Sequence, residues 1–344
     1  MKKTNIDIIA GPCSAESEEQ LMEIALQLKN DGRVSIFRAG VWKPRTRPDM
    51  FEGIGEKALV WLNNIQTKLQ LPCCVEVANK FHVEQCLKNN ITNFWIGART
   101  TVNPFLVQEI ADALKGNDVF IMIKNPITPD LKLWLGAVER FENCGIKKIA
   151  CIHRGFFNYS NFEYRNNPFW GIPIQLKLIR PDIKIICDPS HISGNRYKIA
   201  EISQKAIDLE MDGLMIETHN NPNCAKSDAE QQITPDDLFI LLNNLILREK
   251  GSIKHQLVNN YRLAIDQIDT QIIELFAQRV DLVKKIGQYK KDHKITILQA
   301  QRWNEVREKI ISFSALKGID KDFVNSYLEI LHDYMINEQE KIIN

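Results

Sequence analysis

The sequence of 344 residues lacks an excess of charge of either sign, with 44 Lys and Arg against 43 Asp and Glu. A formal net charge of +1 removes the electrostatic basis for binding nucleic acids or membrane surfaces. The chain also lacks an apolar run near the ~18 residues of a transmembrane helix, and its first residues do not form a secretion signal. We therefore expect a cytoplasmic protein with no nucleic-acid partner and no membrane partner.

The eight cysteines include one adjacent pair, Cys73 and Cys74, but no Cys-x-x-Cys motif. This pattern excludes zinc ribbons and secreted disulfide frameworks, and it favours a reducing compartment. The hydrophobic fraction of 44% is ample for a buried core and excludes disorder as the dominant state.

Proline is absent after Pro235, and only three of the 16 glycines follow Gly213. A long segment with so few helix breakers is expected to be helical. Near residue 250 the polar stretch Arg-Glu-Lys-Gly-Ser-Ile-Lys has the composition of a linker. We predict a first domain at 1–250, a linker at 251–256 and a helical domain at 257–344.

The first domain alternates short apolar runs, rich in β-branched residues, with amphipathic stretches. The eight runs are Ile6–Ala10, Val34–Ala39, Cys74–Ala78, Asn93–Gly97, Val119–Ile123, Lys148–Ile152, Lys184–Cys187 and Gly213–Ile216. Strands that alternate with helices predict a parallel sheet covered by helices, and eight such units match a (β/α)8 TIM barrel. A doubly wound open sheet is the alternative, although no Gly-x-Gly-x-x-Gly turn follows the first run.

The residues just past the runs are charged or able to bind a metal. They are Cys13, Lys43 with Arg45, Glu76, Arg99, Lys124, Arg154, His191 and Glu217. In a barrel these positions share one rim, which forms the active site. Basic side chains on one rim repel one another unless anions bind between them, so we expect strongly anionic substrates, such as phosphorylated molecules.

A metal site is a second prediction for this rim. Cys13, His191 and Glu217 together offer a thiolate, an imidazole and a carboxylate, and Asp228 is a candidate fourth ligand. Such a set accepts Mn, Co, Fe or Zn, which leaves the native divalent metal open. A purely structural role is the alternative for each of these residues. A buried cysteine, for example, often serves as a small core residue.

Several motifs occur in a specific order. Gly-Pro-Cys-Ser-Ala-Glu-Ser starts at Gly11, Lys-Pro-Arg-Thr at Lys43, Ile-Gly-Ala-Arg at Ile96, Asp-Pro-Ser-His at Asp188 and Ile-Glu-Thr-His at Ile216. As a set, they resemble the type Iβ 3-deoxy-D-arabino-heptulosonate 7-phosphate (DAHP) synthases over residues 1 to about 250. That family condenses phosphoenolpyruvate with erythrose 4-phosphate, giving DAHP and phosphate in the first step of the shikimate pathway.

The resemblance implies roles for individual residues. The residues implied to bind phosphoenolpyruvate are Arg38, Glu76, Arg99, Lys124 and Arg154, and Lys43 is the candidate proton donor. Arg45 and Thr46 are implied to bind erythrose 4-phosphate, and Asp188 to orient the site near the aldehyde. The implied metal ligands are Cys13, His191, Glu217 and Asp228.

The sequence also departs from the family pattern. Asn125 and Pro126 follow Lys124 where many members have Arg-Gly, and Ala229 follows Asp228 where glycine is more usual. The sister KDO8P synthases share the barrel and the phosphoenolpyruvate chemistry and remain an alternative. They typically have an Asn-containing motif in place of Lys-Pro-Arg-Thr, so this motif favours erythrose 4-phosphate as the substrate.

The C-terminal part shows helical periodicity. The apolar positions are Leu257, Tyr261, Ile265, Ile268, Ile272, Leu275, Phe276, Val280, Val283 and Ile286. A single helix over 257–290 is too long to be stable alone and needs a partner. Further helices are predicted at Gln299–Phe313 and Lys321–Ile342, and the pattern by itself fits a three-helix dimerisation module equally well.

Motifs around Arg262, Arg279, Lys290 and Arg302 resemble the AroQ-type chorismate mutases over about 257–342. The resemblance implies rearrangement of chorismate to prephenate in a site shared by two chains, with Arg262 from one chain and the other three cations from its partner. Cationic side chains would pin the two carboxylates of chorismate, and Lys290 would donate to the ether oxygen. We therefore expect a homo-oligomer, either a dimer or a dimer of dimers.

The family's second donor, often glutamine, falls at Glu338. A glutamate donates only when protonated, so the resemblance implies a raised pKa for Glu338. Trp303 and Gln299 also depart from the family pattern, and an inactive sensor or dimer clasp is the alternative for this domain. Because the first run begins close to Met1, we expect feedback on the synthase, by prephenate or chorismate, to act through the C-terminal domain.

Overall fold

The computed structural model describes residues 6–43, 50–157, 163–248 and 256–343. The chain divides into two compact units, Met1–Lys250 and Gly251–Asn344. The predicted linker at 251–256 lies outside the described residues except for Gln256, where the first helix of the second unit begins.

The first unit is a closed barrel of parallel strands in the order β1 to β8, which confirms the predicted (β/α)8 barrel. Its strands are β1 Asp7–Gly11, β2 Ile36–Arg38, β3 Cys73–Val77, β4 Asn93–Ile96, β5 Phe120–Lys124, β6 Lys148–His153, β7 Lys184–Cys187 and β8 Gly213–Glu217. Each strand overlaps one of the predicted apolar runs. The pairing of Gly11 with Glu217 closes the barrel between β1 and β8.

Helices follow the strands around the outside of the barrel. They are α1 Glu18–Asp31, α2 Lys57–Leu69, α3 Lys80–Lys88, α4 Ala98–Thr101, α5 Pro104–Leu114, α6 Leu131–Asn143, α7 Gly171–Ile179, α8 Pro189–Ser193, α9 Ile199–Asp208 and α10 Pro235–Asn244. Their apolar faces and the outward side chains of the strands form the large core of this unit.

A second, smaller core fills the inside of the barrel. It consists of Ile9, Cys74, Trp95, Met122, Ala150, Ile152, Ile186 and Met215. Side chains alternate along a strand, so the residue two positions later points to the same side, one layer nearer the C-terminal rim. Lys124 therefore lies one layer above Met122, and Glu217 lies one layer above Met215. Arg154 and Asp188 likewise follow the core residues Ile152 and Ile186 by two positions. The polar residues at the ends of the apolar runs thereby form a ring at the C-terminal rim of the barrel.

The second unit is helical, as predicted. Its helices are α11 Gln256–Asp292, α12 Ala300–Leu316 and α13 Lys321–Ile343. Helix α13 buries Val324, Leu328, Leu331 and Met335, and α11 lies close enough to α13 that a side chain at Gly287 would contact Gln339 and Ile342. Among the described residues, no helix is both long and apolar enough to span a bilayer.

Candidate functional site

A cavity of about 460 Å³ opens at the C-terminal rim of the barrel. It brings together seven of the predicted site residues, which are Lys43, Glu76, Arg99, Lys124, Arg154, His191 and Asp228. Arg45 and Thr46, predicted to bind the second substrate, lie outside the described residues. The rim therefore collects the charged side chains from separate strands into one cleft.

Three predicted metal ligands cluster at one side of this cleft. One ligand atom each from Cys13, Glu217 and Asp228 lies within 4.8 Å of the other two. The Cys13 thiol donates to Asp228 Oδ2 at 3.2 Å, and Nε2 of His191 lies 3.8 Å from Glu217 Oε1. Glu217 Oε1 is buried and accepts no well-directed hydrogen bond from the described residues. A thiol, an imidazole and two carboxylates at these distances fit a borderline divalent cation.

Glu217 is held from both sides. Nη2 of Arg38, itself 1% exposed, lies 2.9 Å from Glu217 Oε1, and Gln231 donates to Glu217 Oε2 at 2.7 Å. Burial alone would raise the pKa of Glu217, but the nearby charges of His191, Arg38 and Lys43 outweigh burial and lower it. The Arg38 guanidinium also stands 4.8 Å from the centre of the Trp95 ring. Glu217 is thus an ionised carboxylate in a rigid setting.

Cys13 and Lys43 form a contact pair beside this carboxylate. Lys43 Nζ donates to the Cys13 carbonyl at 2.8 Å and to its sulfur at 2.9 Å. Burial, together with Glu217, raises the pKa of the Cys13 thiol to about 12. Burial would lower the pKa of Lys43, but Cys13 and Glu217 raise it by more, so the ammonium stays charged. Metal binding to the Cys13 sulfur must therefore release a proton.

Asp188 connects two side chains of the cleft, His191 and Lys124. This fully buried carboxylate caps α8 by accepting from the His191 backbone N–H at 3.0 Å, and it contacts the His191 ring at Nδ1 and Lys124 Nζ at 2.8 and 2.9 Å. Burial opposes ionisation, but His191 and Lys124 hold the pKa of Asp188 well below its usual range. A carboxylate on Nδ1 fixes the imidazole orientation and leaves Nε2 directed to the metal group.

The basic side of the cleft is crowded with cations. Arg154 donates through Nη1 to the neutral amide oxygen of Asn166 at 2.8 Å. Burial lowers the pKa of Arg154 to about 10; Asp188 opposes this shift, and the repulsion of Arg165 and Arg99 adds to it. Arg154, Arg165 and Arg99 outnumber Asp188 and Asp228, the two carboxylates that act on Arg154, so the local potential is positive. An anion with several oxygens would relieve this potential.

In the helical unit, the predicted mutase residues have different environments. Lys290 is 7% exposed and donates to the Ile297 carbonyl, and Arg279 is half-buried with a buried Nη1 that lacks a hydrogen-bond partner among the described residues. Arg262 and Arg302 are exposed. Arg302 Nη1 lies 3.1 Å from Glu305 Oε2.

Glu338 differs from the expectation. It is 6% exposed, accepts a hydrogen bond from Lys341 and lies 3.8 Å from Lys284. The hydrogen bond from Lys341 lowers the pKa of Glu338, and the charges of Lys341 and Lys284 lower it further. The direction is opposite to the raised pKa that the resemblance implied. In the isolated protomer this side chain is therefore an ionised acceptor.

Helix α11 carries an uncovered apolar stripe. It consists of Tyr261, Ile265, Ile268, Ile272, Leu275, Leu282, Ile286 and Tyr289, each between 49% and 63% exposed. The spacing alternates between four and three residues, and Arg279 occupies the one remaining position of this repeat. This is the repeat by which a long helix packs against a second one. We refer to these eight side chains as the α11 stripe.

Family models match both units. Residues 2–249 match the DAHP synthetase I family, and residues 261–340 match chorismate mutase type II. The chain belongs to the DAHP synthetase I family. These matches confirm both families indicated by the motifs, one of aldol-type transferases and one of isomerases.

Individual relatives cover the barrel. A phospho-2-dehydro-3-deoxyheptonate aldolase of Thermotoga maritima is 30% identical over 226 residues, which are 66% of this chain and 64% of that protein. A 2-dehydro-3-deoxyphosphooctonate aldolase of Desulfotalea psychrophila is 26% identical over 262 residues, 70% of this chain and 88% of that protein. The crystal structure of the Thermotoga DAHP synthase has a TM-score of 0.63 and 28% identity, covering 70% of this chain and 68% of that one. The chain thus spans less than two thirds of its Thermotoga relative's length.

Sequence reasoning missed two residues that line this cleft or contact its lining side chains. Arg165 lines the cleft and donates through Nη1 to Asp228 Oδ1 at 3.1 Å and to Gln231 at 2.7 Å. It lies in the connection between β6 and α7, far from the end of any apolar run, so reading past the runs does not find it. Trp95 was also missed because it looks like an ordinary strand residue, yet its indole N–H donates to Glu76 at 2.9 Å.

Gly97 explains part of the Ile-Gly-Ala-Arg motif. A Cβ at this position would lie 2.2 Å from Glu76 Oε1. A side chain at Gly97 would displace the Glu76 carboxylate from its place beside the start of α4, which carries Arg99. The motif therefore reflects packing of an acidic group as well as the placement of a basic one.

Proposed function

We propose that the barrel condenses phosphoenolpyruvate with erythrose 4-phosphate to give DAHP and phosphate. The observation that carries this proposal is the adjacency of the cationic cleft and the cluster of Cys13, Glu217 and Asp228. In this reaction C3 of phosphoenolpyruvate forms a bond to the aldehyde carbon, water adds to C2, and the C2–O bond to phosphate breaks. The substrates bring phosphate and carboxylate charges that match the basic rim.

The side chains of the cleft divide this work. Arg99, Lys124 and Arg154 bind the phosphate and carboxylate of phosphoenolpyruvate, and Arg38 and Glu76 complete that pocket. Lys43, which stays protonated next to Cys13, is positioned to give a proton to the new hydroxyl oxygen. Fixed cations that face developing negative charge stabilise the transition state without having to reorganise.

Cys13, His191, Glu217 and Asp228 would hold the divalent metal. When bound, such an ion supplies Lewis acidity toward the aldehyde oxygen. The chain's own part is to fix the ligands: Asp188 orients His191, and Arg38 with Gln231 holds Glu217. The native metal is chosen by availability and geometry more than by the ligand types.

The choice of aldehyde tests the barrel's activity most sharply. Full-length protein with Mn²⁺ and phosphoenolpyruvate is assayed with erythrose 4-phosphate and, in parallel, with arabinose 5-phosphate. We expect phosphate release and DAHP formation with the four-carbon sugar, at a kcat/KM about 100-fold or more above that for the five-carbon sugar. Preference for arabinose 5-phosphate would establish the KDO8P synthase alternative, and no turnover with either would refute the proposal.

We further propose that the helical unit rearranges chorismate to prephenate as a dimer. The α11 stripe is the surface that a second copy would cover, and Arg279 occupies the remaining position of its repeat. Two copies of this helix would bring Arg262 of one chain toward Arg279, Lys290 and Arg302 of the other. These cations would hold the two carboxylates of chorismate in the reactive conformation.

Chorismate consumption by the purified full-length protein tests this second activity. Turnover well above the spontaneous rate, lost in Lys290→Met and kept in the exposed control Lys291→Met, supports a mutase. A folded, dimeric protein without turnover would leave the helical unit as a sensor or dimer clasp.

Regulation completes the proposal. The helical unit, which matches chorismate mutase type II, is covalently joined to the barrel. Prephenate or chorismate bound to the helical unit would therefore inhibit DAHP formation by favouring a less active state of the barrel. The synthase rate is measured with and without saturating prephenate. Identical rates would eliminate this regulation.

A further inference from the structure

The buried side chain of Asn125 joins two strand ends of the barrel. It is 0% exposed, and its Oδ1 accepts from the Arg154 backbone N–H at 2.7 Å. Its Nδ2 donates to the carbonyls of Gly155 and Pro126, both at 2.8 Å. The amide thus binds the backbone on both sides of the Arg154 side chain, and it uses its acceptor and its donors together.

A second asparagine continues this connection. Asn166, 6% exposed, accepts from Arg154 Nη1 at 2.8 Å and donates to the His191 carbonyl at 2.6 Å. The chain passes so close here that a Cβ on Gly155, whose φ is +77°, would lie 2.8 Å from Asn166 Cβ. Arg154 is therefore fixed at its backbone by one amide and at its guanidinium by another.

The neutrality of both amides matters for the chemistry. A carboxylate would fix a guanidinium at least as firmly, as the Arg180–Glu142 pair does at 2.6 Å elsewhere in this chain, but it would also neutralise its charge. An amide oxygen orients the guanidinium and leaves its charge available for an anion.

We propose that Asn125 and Asn166 are positioning residues that hold Arg154 for the phosphoenolpyruvate anion without themselves neutralising its charge. This inference rests on the proposed synthase function, and it assigns to the two amides a role in the affinity for one substrate. A displacement of about 1 Å in an enzyme's active site can cost up to about 100-fold.

The test compares two variants with a matched control. Asn125→Ala removes the side-chain amide that joins the two strand ends. The nearly isosteric Asn166→Asp places a negative charge against Arg154. Asn93→Ala is the control, because Asn93 also joins neighbouring strands, donating to the Cys73 carbonyl at 3.1 Å, but at the opposite end of the barrel. Calorimetry of the full-length protein with Mn²⁺ gives the Kd for phosphoenolpyruvate, and kinetics give the KM for erythrose 4-phosphate.

We expect a Kd for phosphoenolpyruvate about tenfold or more above wild type in both variants. The KM for erythrose 4-phosphate should change by less than about twofold, and Asn93→Ala should behave like wild type.

General damage to the site would weaken the binding of both substrates equally, and this result would overturn the inference. A folded variant with a wild-type Kd for phosphoenolpyruvate would overturn it as well. If Asn125→Ala does not fold, Asn166→Asp decides. A wild-type protein that binds no phosphoenolpyruvate refutes the proposed function as well, whereas normal wild-type turnover beside unchanged variants refutes this inference alone.

Discussion

Single residues in this chain have properties that their neighbours impose. His153 is fully buried at the end of β6, with its ring 5.1 Å from that of Trp170 and 5.8 Å from that of Phe156. Burial, reinforced by the positive charge of Arg154 and only partly opposed by Asp188, lowers the pKa of His153 from 6.5 to about 3. The folded protein therefore keeps this imidazole neutral under conditions in which the unfolded chain protonates it.

This difference predicts a loss of stability in mild acid. Below pH 6.5 the unfolded chain binds a proton that folded His153 does not, so the free energy of unfolding falls as the pH falls toward 3. One such group contributes about 1.4 kcal/mol per pH unit, or about 2 kcal/mol between pH 6.5 and 5. His153→Phe should remove this contribution, because phenylalanine fits the aromatic surroundings and does not titrate.

Urea unfolding at about pH 7 and pH 5, followed by tryptophan fluorescence, measures the effect. Five of the six tryptophans lie before residue 250, so the signal reports mainly on the barrel. His293→Phe, at an exposed histidine of the helical unit, is the control and should keep the wild-type pH dependence. If His153→Phe and wild type lose equal stability between the two pH values, the assignment is wrong.

Glu338 gives a second prediction at this scale. Lys341 and Lys284 lower its pKa, so near neutral pH it cannot donate a hydrogen bond to a chorismate ether oxygen. Glutamine donates at every pH. Glu338→Gln should therefore raise the mutase kcat/KM near pH 7.5 by about tenfold or more and flatten the pH–rate profile. The exposed neighbour Glu340 supplies the control Glu340→Gln, and a slower Glu338→Gln enzyme would contradict the argument.

At the scale of elements, helix α11 shows two faces with the same repeat. Phe276, Val280, Val283, Gly287 and Lys290 follow the spacing of four and three residues and are buried or half-buried, on the helix that packs against α13. The α11 stripe follows the same spacing and is exposed. A helix of 37 residues with two such faces is built to pack on both sides.

Charge on the exposed stripe should therefore block association of the helical units. Ile272→Asp buries a carboxylate in the expected helix contact, which costs several kcal/mol. The matched control is Val60→Asp on α2, because Ile272 and Val60 are both 52% exposed. Sedimentation equilibrium should show a smaller assembly for Ile272→Asp at micromolar concentration, and loss of mutase activity should accompany it. Unchanged assembly would show that the stripe is not the contact.

Much of the fold followed from local patterns, and the reason is the barrel itself. Each apolar run that ends in a polar residue marks a strand end, and closure of the barrel gathers those ends, so Lys124, Arg154 and Glu217 were found from sequence. Arg165 and Asn166 reach the same cleft from the β6–α7 connection, where no periodicity marks them. These two residues come close to the cleft only when the barrel closes. For Glu338, by contrast, Lys341 three residues later was a readable local signal of a lowered pKa.

At the scale of the whole molecule, the two activities that we propose rest on different chemistry. The proposed condensation in the barrel would depend on the ligand group around Cys13 and Glu217, whereas the proposed rearrangement of chorismate would need only fixed cations and hydrogen-bond donors. The helical unit therefore serves as an internal control for the barrel in the same sample. Loss of one activity with retention of the other separates metal dependence from unfolding.

The most direct test removes the metal from the full-length protein. After dialysis against a chelator, DAHP formation from phosphoenolpyruvate and erythrose 4-phosphate and the consumption of chorismate are measured on one preparation, before and after adding Mn²⁺. We predict that DAHP formation falls at least about 100-fold and returns with Mn²⁺, while chorismate consumption stays constant. Undiminished DAHP formation in the chelated protein, or loss of both activities together, would contradict this account.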